Sequence, residues 1–221
     1  MKLSHPFLNH PIDWEKGYIN TFIVENPKMY RDFLNELNEQ VGGLNGRFVL
    51  SQDEIIDISK STEIIYNPLL ISIEDNKKIL TGILKDFTEI AINDFYEKTV
   101  ELYAKINETI SDLIFSSGQD LVFDDINDIS QILKLYNIHP DTENLSLAEK
   151  ILIYMELCEK YLKKRLFVFV NLHGYFSEEE RELLFKDISY RCYNVLIIER
   201  YDIKSSDREI KRIIDIDLCE I

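Results

Sequence analysis

The sequence LFVFVN at Leu166–Asn171 and the sequence VLIIE at Val195–Glu199 are continuous apolar runs. Runs of this kind are typical of β-strands that are buried on both faces of a parallel sheet. Between them, Ser177 and Glu180 have the spacing of a capping box, which predicts a helix that continues to about Arg191. A strand–helix–strand unit implies a parallel sheet with a right-handed crossover, so this stretch predicts an α/β fold.

The amino-terminal part of the chain continues the α/β pattern. Tyr18–Val24 (YINTFIV) is rich in β-branched and aromatic residues, which favours a strand. Asn26 and Pro27 then have the residue types of an N-cap and a first helical position, so a helix is predicted to begin there. Arg47–Leu50 and Glu63–Tyr66 are predicted to be short strands.

The middle of the chain is predicted to be helical. From about Asp75 to Phe115, apolar residues recur at steps of three and four, which is the pattern of a coiled-coil-like helix, with Asn93-Asp94 as its weakest point. A second helix is predicted at Asp124–Tyr136, and a third begins after Ser146. The predicted fold class is therefore α/β, with a parallel-sheet head domain at residues 1–84 and 151–221 and an inserted all-helical leg domain at residues 85–150.

Composition excludes several classes of protein. The chain has 221 residues, 45% of them hydrophobic, and a formal net charge of -15. Such a chain is too apolar to be disordered, and no apolar run reaches the roughly 18 residues of a membrane-spanning helix. No signal peptide is recognised, and three widely spaced cysteines fit reduced thiols in a cytoplasmic protein without a zinc site. The acidity opposes general attraction to nucleic acid, so DNA binding would require a local basic surface.

The best candidate for an ion site is the acidic stretch Gln119–Asp128 (QDLVFDDIND). Carboxylates are hard oxygen ligands of the kind that calcium prefers. The alternative is that Asp124 and Asp125 interact with the positive end of a helix dipole, and the spacing alone leaves both interpretations open. The candidate ligands are Asp120, Asp124, Asp125 and Asp128.

The best candidate for an anion-binding surface is the basic segment Lys160–Arg165 (KYLKKR), which holds four positive charges and no acidic residue. A purely structural interpretation is also open. Glu156 and Lys160, and likewise Glu159 and Lys163, have the spacing of helical ion pairs, and cations favour the carboxyl end of a helix.

The run from Lys160 to Glu199 resembles the Csn family of type II-A CRISPR loci. In that family a basic K-Y-L-x-K-K segment leads into an apolar strand that ends in Asn. A helix that begins aromatic-Ser/Thr-x-x-Glu and an N-V-L-hydrophobic-Glu strand follow. The acidic stretch at Asp120–Asp124 and the helices around it also fall in the family's order, so the resemblance covers most of the chain.

The resemblance implies a head domain distantly similar to P-loop kinases, without a working nucleotide site, and a helical leg. It implies a homotetrameric ring that is stabilised by calcium at the aspartates named above. The ring would take double-stranded DNA, preferably through an end, in spacer acquisition and antiviral defence, beside the other CRISPR adaptation proteins and the effector nuclease. No catalytic activity and no membrane association are expected. The candidate phosphate contacts are Lys134, Lys160, Lys163, Lys164 and Arg165.

Two alternatives from other functional classes remain open at this point. The aspartates of the acidic stretch could hold magnesium and activate water, which would make the protein a metal-dependent nuclease. The seam from Leu80 to Leu113 could instead belong to a coiled-coil scaffold that binds only protein.

Overall fold

The computed structural model describes residues 1–14 and 17–221. Its contacts divide the chain into two compact units. Met1–Ile71 and Glu143–Ile221 form the first, here called the head unit, and Ser72–Thr142 form the second, here called the helical unit. The helical unit therefore begins and ends earlier in the chain than the boundaries at 85 and 150 that the sequence predicts.

The elements follow one another in chain order. The first head segment contains β1 (Lys2–Ser4), β2 (Ile12–Asp13), β3 (Ile19–Val24), α1 (Pro27–Val41), β4 (Val49–Ser51), β5 (Ile55–Ile56), α2 (Ile58–Ser61) and β6 (Thr62–Ile65). The helical unit contains α3 (Lys77–Asn93), α4 (Tyr96–Ser117) and α5 (Ile129–Leu135). The second head segment contains α6 (Leu147–Leu162), β7 (Leu166–Val170), α7 (Glu178–Tyr190), β8 (Asn194–Glu199) and β9 (Glu209–Ile214).

The head unit is built on a parallel sheet. Within the described residues its strands number five, in the order β6-β7-β8-β3-β9, and every neighbouring pair is parallel. All residues of β7 and all of β8 except Asn194 are buried. The α/β fold predicted from the two apolar runs is therefore confirmed.

A smaller antiparallel sheet, in the order β2-β1-β4-β5, lies in the same unit. The two sheets share a packing contact through Phe33 on α1. The ring of Phe33 lies 5.0 Å from that of Phe22 on β3 and 4.8 Å from that of Phe48, next to β4. All three rings are buried, so α1 packs the two sheets into one core.

The helical unit has two helices where an unbroken pattern would give one. The break between α3 and α4 falls at Asp94 and Phe95, and so overlaps the predicted weak point Asn93-Asp94. The prediction that the next helix begins at Asp124 is wrong, because α5 begins at Ile129 behind an Asp128 cap. Among the residues that the structure describes, no helix is long and apolar enough to cross a membrane.

The direction of the strands determines where polar side chains gather. Because the strands of the large sheet run parallel, the residues that follow β3, β6, β7 and β8 lie at one edge of the sheet. Ligands of open α/β sheets bind at such a carboxyl edge. The segment that enters β7 lies at the opposite, amino edge, and it is the predicted basic segment.

Candidate functional site

The basic segment spans the carboxyl end of α6 and the connection from α6 to β7. Lys163 ends α6 in the left-handed conformation, with φ 58°. The Lys164 amide then donates to the carbonyl of Cys158 at 3.2 Å, and the Arg165 amide donates to the carbonyl of Ser61 at 2.7 Å. Backbone hydrogen bonds therefore hold the carboxyl end of the segment in place.

Lys164 points into the head unit. Its Nζ donates to the carbonyls of Thr62 at 2.6 Å and Ser59 at 3.3 Å, and lies 3.6 Å from Glu63 Oε2. Only 13% of its side chain is exposed. The other carboxylate oxygen of Glu63 accepts from the Tyr154 hydroxyl at 2.7 Å, and burial together with this bond raises the pKa of Tyr154. The structure gives Lys164 a part in linking α6 to β6.

The other cations of the basic segment lie at the surface. Lys160, Lys163 and Arg165 are exposed. Lys160 Nζ stands 4.8 Å from the centre of the Tyr161 ring, and Lys163 Nζ donates to the carbonyl of Lys160 at 2.9 Å. The predicted partner of Lys160, Glu156, accepts from Arg191 at 2.7 Å. The segment thus presents positive charge on the surface of an acidic protein.

Lys134 is separate from this segment in the chain. It is exposed and lies in the last turn of α5, within the helical unit. A cation in the last turn of a helix also interacts favourably with the helix dipole.

The acidic stretch is an irregular connection between α4 and α5. Asp120, Asp124 and Asp125 are exposed and precede the helix, so the interpretation that places Asp124 and Asp125 in a first helical turn is wrong. The Asn107 side chain on α4 ties the stretch down, because it donates to the carbonyl of Ile126 at 3.3 Å and accepts from its amide at 3.0 Å.

Asp128 has a defined structural role. Its carboxylate accepts from the Ser130 hydroxyl and the Ser130 amide, each at 2.8 Å, and these hydrogen bonds lower its pKa. It therefore caps α5, as Asp commonly does at this position. An aspartate that caps a helix has fewer lone pairs left for a cation.

The fit of these carboxylates to calcium is incomplete within one chain. Across residues 1–14 and 17–221, no group of three or more His, Cys, Asp or Glu side chains is arranged to hold a metal ion. Calcium takes about 6–8 oxygen ligands, so these carboxylates need further oxygen atoms. Asp120, Asp124 and Asp125 are exposed, so their carboxylates remain open to ligands supplied from elsewhere.

A buried polar cluster in the head unit was missed by the sequence analysis. The His173 amide donates to Glu199 Oε1 at 3.0 Å, and its ring nitrogens lie 3.4 Å from Glu199 Oε1 and 3.1 Å from Glu209 Oε1, at angles outside those of a hydrogen bond. Glu209 also accepts from the Thr21 hydroxyl. The one signal in the sequence was the final Glu of VLIIE, an acidic residue at the end of a buried strand.

Burial affects the two glutamates of this cluster in opposite net directions. It raises the pKa of Glu199, although the His173 amide opposes the change. Burial also acts to raise the pKa of Glu209. The opposing effects of His173 and the Thr21 hydroxyl are together larger, so the pKa of Glu209 falls below its usual value. The pKa values of the two neighbouring carboxyl groups are therefore shifted apart.

Comparisons with known proteins place this geometry in context. A family model described as CRISPR-associated protein (Cas_Csn2) matches residues 40–218. A protein named CRISPR-associated protein Csn2, from Streptococcus agalactiae, is 23% identical over 205 residues, which cover 90% of this chain and 89% of the relative.

Solved structures share only a weak overall likeness with the chain. The protein cbiO1 of Clostridium perfringens, part of the ABC transporter complex cbiONQ, aligns with a TM-score of 0.40 at 13% identity, covering 87% of this chain and 70% of that one. A putative ABC transporter ATP-binding protein from Pyrococcus furiosus aligns with a TM-score of 0.39 at 10% identity, covering 91% and 88%. Likenesses of this strength establish neither a nucleotide site nor a transport role.

Proposed function

This chain belongs to the CRISPR-associated Csn2 family, and on that premise we propose that it binds double-stranded DNA without sequence preference and without catalysing a reaction. In this proposal it acts in the cytoplasm, in spacer acquisition by a type II-A CRISPR system, together with the other adaptation proteins and the effector nuclease. The binding form is a calcium-stabilised homotetrameric ring that admits a DNA end.

The observation that carries the DNA-binding proposal is the surface of the basic segment. Lys160, Lys163 and Arg165 are exposed together at the connection between α6 and β7, in a chain with a net charge of -15. Contacts from such side chains go to phosphates, which makes binding independent of sequence and sensitive to salt. A ring of four copies would bring four such segments to one duplex while the acidic surfaces lie elsewhere.

The connection between β3 and α1 supports a head that does not hydrolyse nucleotides. It consists of Glu25 and Asn26, followed by Pro27 at the start of the helix. A phosphate-binding loop at such a connection is glycine-rich and cradles phosphates with successive backbone amides. Here a carboxylate precedes the helix, Asn26 Oδ1 accepts from the Lys28 and Met29 amides, and proline has no amide hydrogen.

Exposed apolar side chains near the acidic stretch support self-association. Phe115 is 89% exposed and Val122 is 99% exposed, and both line an open groove of about 620 Å³ in the helical unit with Leu121 and Phe123. Contiguous apolar surface of this kind commonly marks a protein interface. In the proposal a second copy covers it and completes the ligands of calcium ions bound at Asp120, Asp124 and Asp125, whose charges would otherwise repel a like surface.

Reversing the exposed charges of the basic segment is expected to weaken duplex binding. In the Lys163→Glu/Arg165→Glu variant, affinity for a blunt duplex should fall by about tenfold or more at about 0.1 M salt. The slope of log K against log salt should become less steep by about 0.9 for each phosphate that the variant no longer neutralises. Fluorescence anisotropy over a salt series measures both quantities. The matched control is Lys186→Glu/Arg208→Glu, which reverses two exposed head cations outside the segment. Equally weakened binding in both variants would contradict the assignment, and so would duplex binding that neither variant changes.

Calcium is expected to control the oligomeric state. Light scattering should give tetramers with calcium and smaller species with a chelator. The Asp124→Asn/Asp125→Asn variant should form tetramers only at a higher calcium concentration, because it lacks two charged ligands. Asp187→Asn/Asp207→Asn is the control for the change in net charge. A calcium-independent monomer would overturn the ring.

The same samples test the alternative functions. Tetramers should retain linear DNA and bind poorly to a closed circle of the same sequence, because a ring admits DNA through an end. DNA cleavage with magnesium would favour the nuclease, and absence of DNA affinity at every salt concentration would favour the protein scaffold.

A further inference from the structure

Aromatic and basic side chains gather at the carboxyl edge of the parallel sheet, on the side of the strands opposite to the basic segment. We call Tyr30, Tyr66, Asn171, Arg200 and Tyr201 the edge cluster. Tyr66 directly follows β6, Asn171 follows β7, and Arg200 and Tyr201 follow β8, while Tyr30 lies in the first turns of α1 after β3. Three connections and the start of one helix thus contribute to one place in the fold.

Arg200 lies between two aromatic rings. Its guanidinium carbon is 5.6 Å from the centre of the Tyr30 ring and 5.3 Å from that of Tyr201. Both distances are within the range of cation–π attraction. Its Nε is buried and has no hydrogen-bond partner among the residues that the structure describes. A buried donor without a partner is unusual, and it is the kind of group that a bound acceptor would satisfy.

The neighbours of Arg200 hold the cluster in place. The Tyr30 hydroxyl donates to Asn171 Oδ1 at 3.2 Å, and Asn171 takes the left-handed conformation, with φ 55°. The Asn171 amide donates to the carbonyl of Ile198 at 2.9 Å. Glu199, which directly precedes Arg200, is buried and accepts from the His173 amide. The chain just before Arg200 is therefore anchored by the connection that follows β7.

Two tyrosine rings of the cluster remain available to a ligand. Tyr201 is 70% exposed and Tyr66 is 47% exposed. Burial raises the pKa of Tyr66, so its phenol stays neutral at physiological pH and offers a flat ring without charge. Burial likewise raises the pKa of Glu199, the residue before Arg200.

We propose that the edge cluster binds an unpaired nucleobase and its phosphate, with the base stacked on Tyr201 and the phosphate bound by Arg200. Aromatic rings accept any base by stacking, and arginine supplies both cation–π attraction and phosphate recognition, which is the combination that single-strand-binding surfaces use. The base and its phosphate could belong to an unpaired DNA end or to a free nucleotide. The cluster lies at the opposite edge of the sheet from the basic segment, so this inference does not depend on the proposed duplex contacts.

Tyr201→Ala is expected to weaken binding of a labelled single-stranded oligothymidine by about tenfold, because stacking on one aromatic side chain contributes about 1–3 kcal/mol per base. Tyr201→Phe should bind like the wild type, since the ring is kept. The matched control is Tyr190→Ala, which removes a tyrosine of the same unit that is 88% exposed. Arg200→Gln should weaken binding and flatten its salt dependence. Anisotropy measures all four variants.

Two further binding experiments distinguish the possible sources of the base. A duplex with an unpaired overhang and a blunt duplex of the same sequence test a DNA end, and calorimetry with dAMP or ATP tests a free nucleotide. A Tyr201-dependent preference for the overhang supports the DNA end, and Tyr201-dependent binding of the mononucleotide supports the free nucleotide. No binding to either, or equal weakening in Tyr201→Ala and Tyr190→Ala, would overturn the inference. The proposed blunt-duplex contacts do not include the edge cluster, so failure of blunt-duplex binding would leave this inference standing.

Discussion

Replacing Lys164 with glutamate is expected to lower the free energy of unfolding by about 2–3 kcal/mol, because it removes the donor of two backbone carbonyls at a half-buried site. The ammonium donates to the carbonyls of Ser59 and Thr62 and pairs with Glu63. The substitution would leave both carbonyls without this donor and place a second carboxylate beside Glu63. Urea denaturation measures the effect. The slope of the unfolding free energy against urea concentration should be the same as in the wild type.

Lys163→Glu is the matched control for this prediction. Its side chain is exposed, so its effect should stay within about 0.5 kcal/mol. If Lys164→Glu does not fold, Lys164→Met provides the measurement, because it keeps the aliphatic stem and should destabilise the protein by a smaller amount. Equal stabilities of the Lys163 and Lys164 variants would contradict a structural role for Lys164.

This prediction decides how charge reversals in the basic segment are interpreted. A double Lys163→Glu/Lys164→Glu variant could fail to bind DNA because it unfolds, and that failure would say nothing about phosphate contacts. Lys163→Glu/Arg165→Glu avoids the difficulty, because both of its side chains are exposed.

The second large effect is expected for Phe33→Ala, which should lower the free energy of unfolding by about 3–5 kcal/mol. Phe33 is fully buried between Phe22 and Phe48. Removing its ring leaves a cavity between the parallel and antiparallel sheets and deletes both of these aromatic interactions. Thermal or urea unfolding, followed by circular dichroism, measures the destabilisation.

Two variants test whether this destabilisation arises from the core. Phe33→Leu keeps most of the volume and should cost no more than about 1.5 kcal/mol. Leu183→Ala, at a residue of α7 that is 64% exposed, should change stability by less than about 0.5 kcal/mol. If Phe33→Ala were no more harmful than Leu183→Ala, the two sheets would not depend on one shared core.

The elements with the strongest local patterns could be predicted from the sequence. The apolar runs at β7 and β8 identified a doubly covered parallel sheet, because only a strand buried on both faces can be apolar at every position. The Ser146 and Ser177 capping boxes predicted the starts of α6 and α7. In both boxes the serine side chain accepts from the backbone amide of the glutamate three residues on, and that glutamate side chain accepts from the serine amide. The apolar repeat alone would have allowed one long helix, and it was the Asn93-Asp94 pair that indicated where it could break; α3 ends at Asn93.

Elements with mixed patterns could not be predicted. The strand β9 has the sequence EIKRII, lies at the edge of the sheet and is mostly half-buried, so it lacks a continuous apolar run. The short strands β1 and β2 likewise have too few residues for a periodicity. The start of α5 was predicted too early because Asp124 and Asp128 are equally good caps in sequence, and only the packing of the chain selects Asp128.

The sequence by itself determined the class of the head unit, the helical character of the middle and the presence of one basic and one acidic segment, because these depend on local periodicity and charge. Only the tertiary structure decided the roles of individual charged residues. Lys163 and Lys164 are adjacent and chemically identical, but one is exposed and the other is bound to carbonyls that lie about a hundred positions earlier in the chain. Arg200 and Tyr30 meet for the same reason: parallel strands bring distant connections to one edge, and no local pattern records which connections those are.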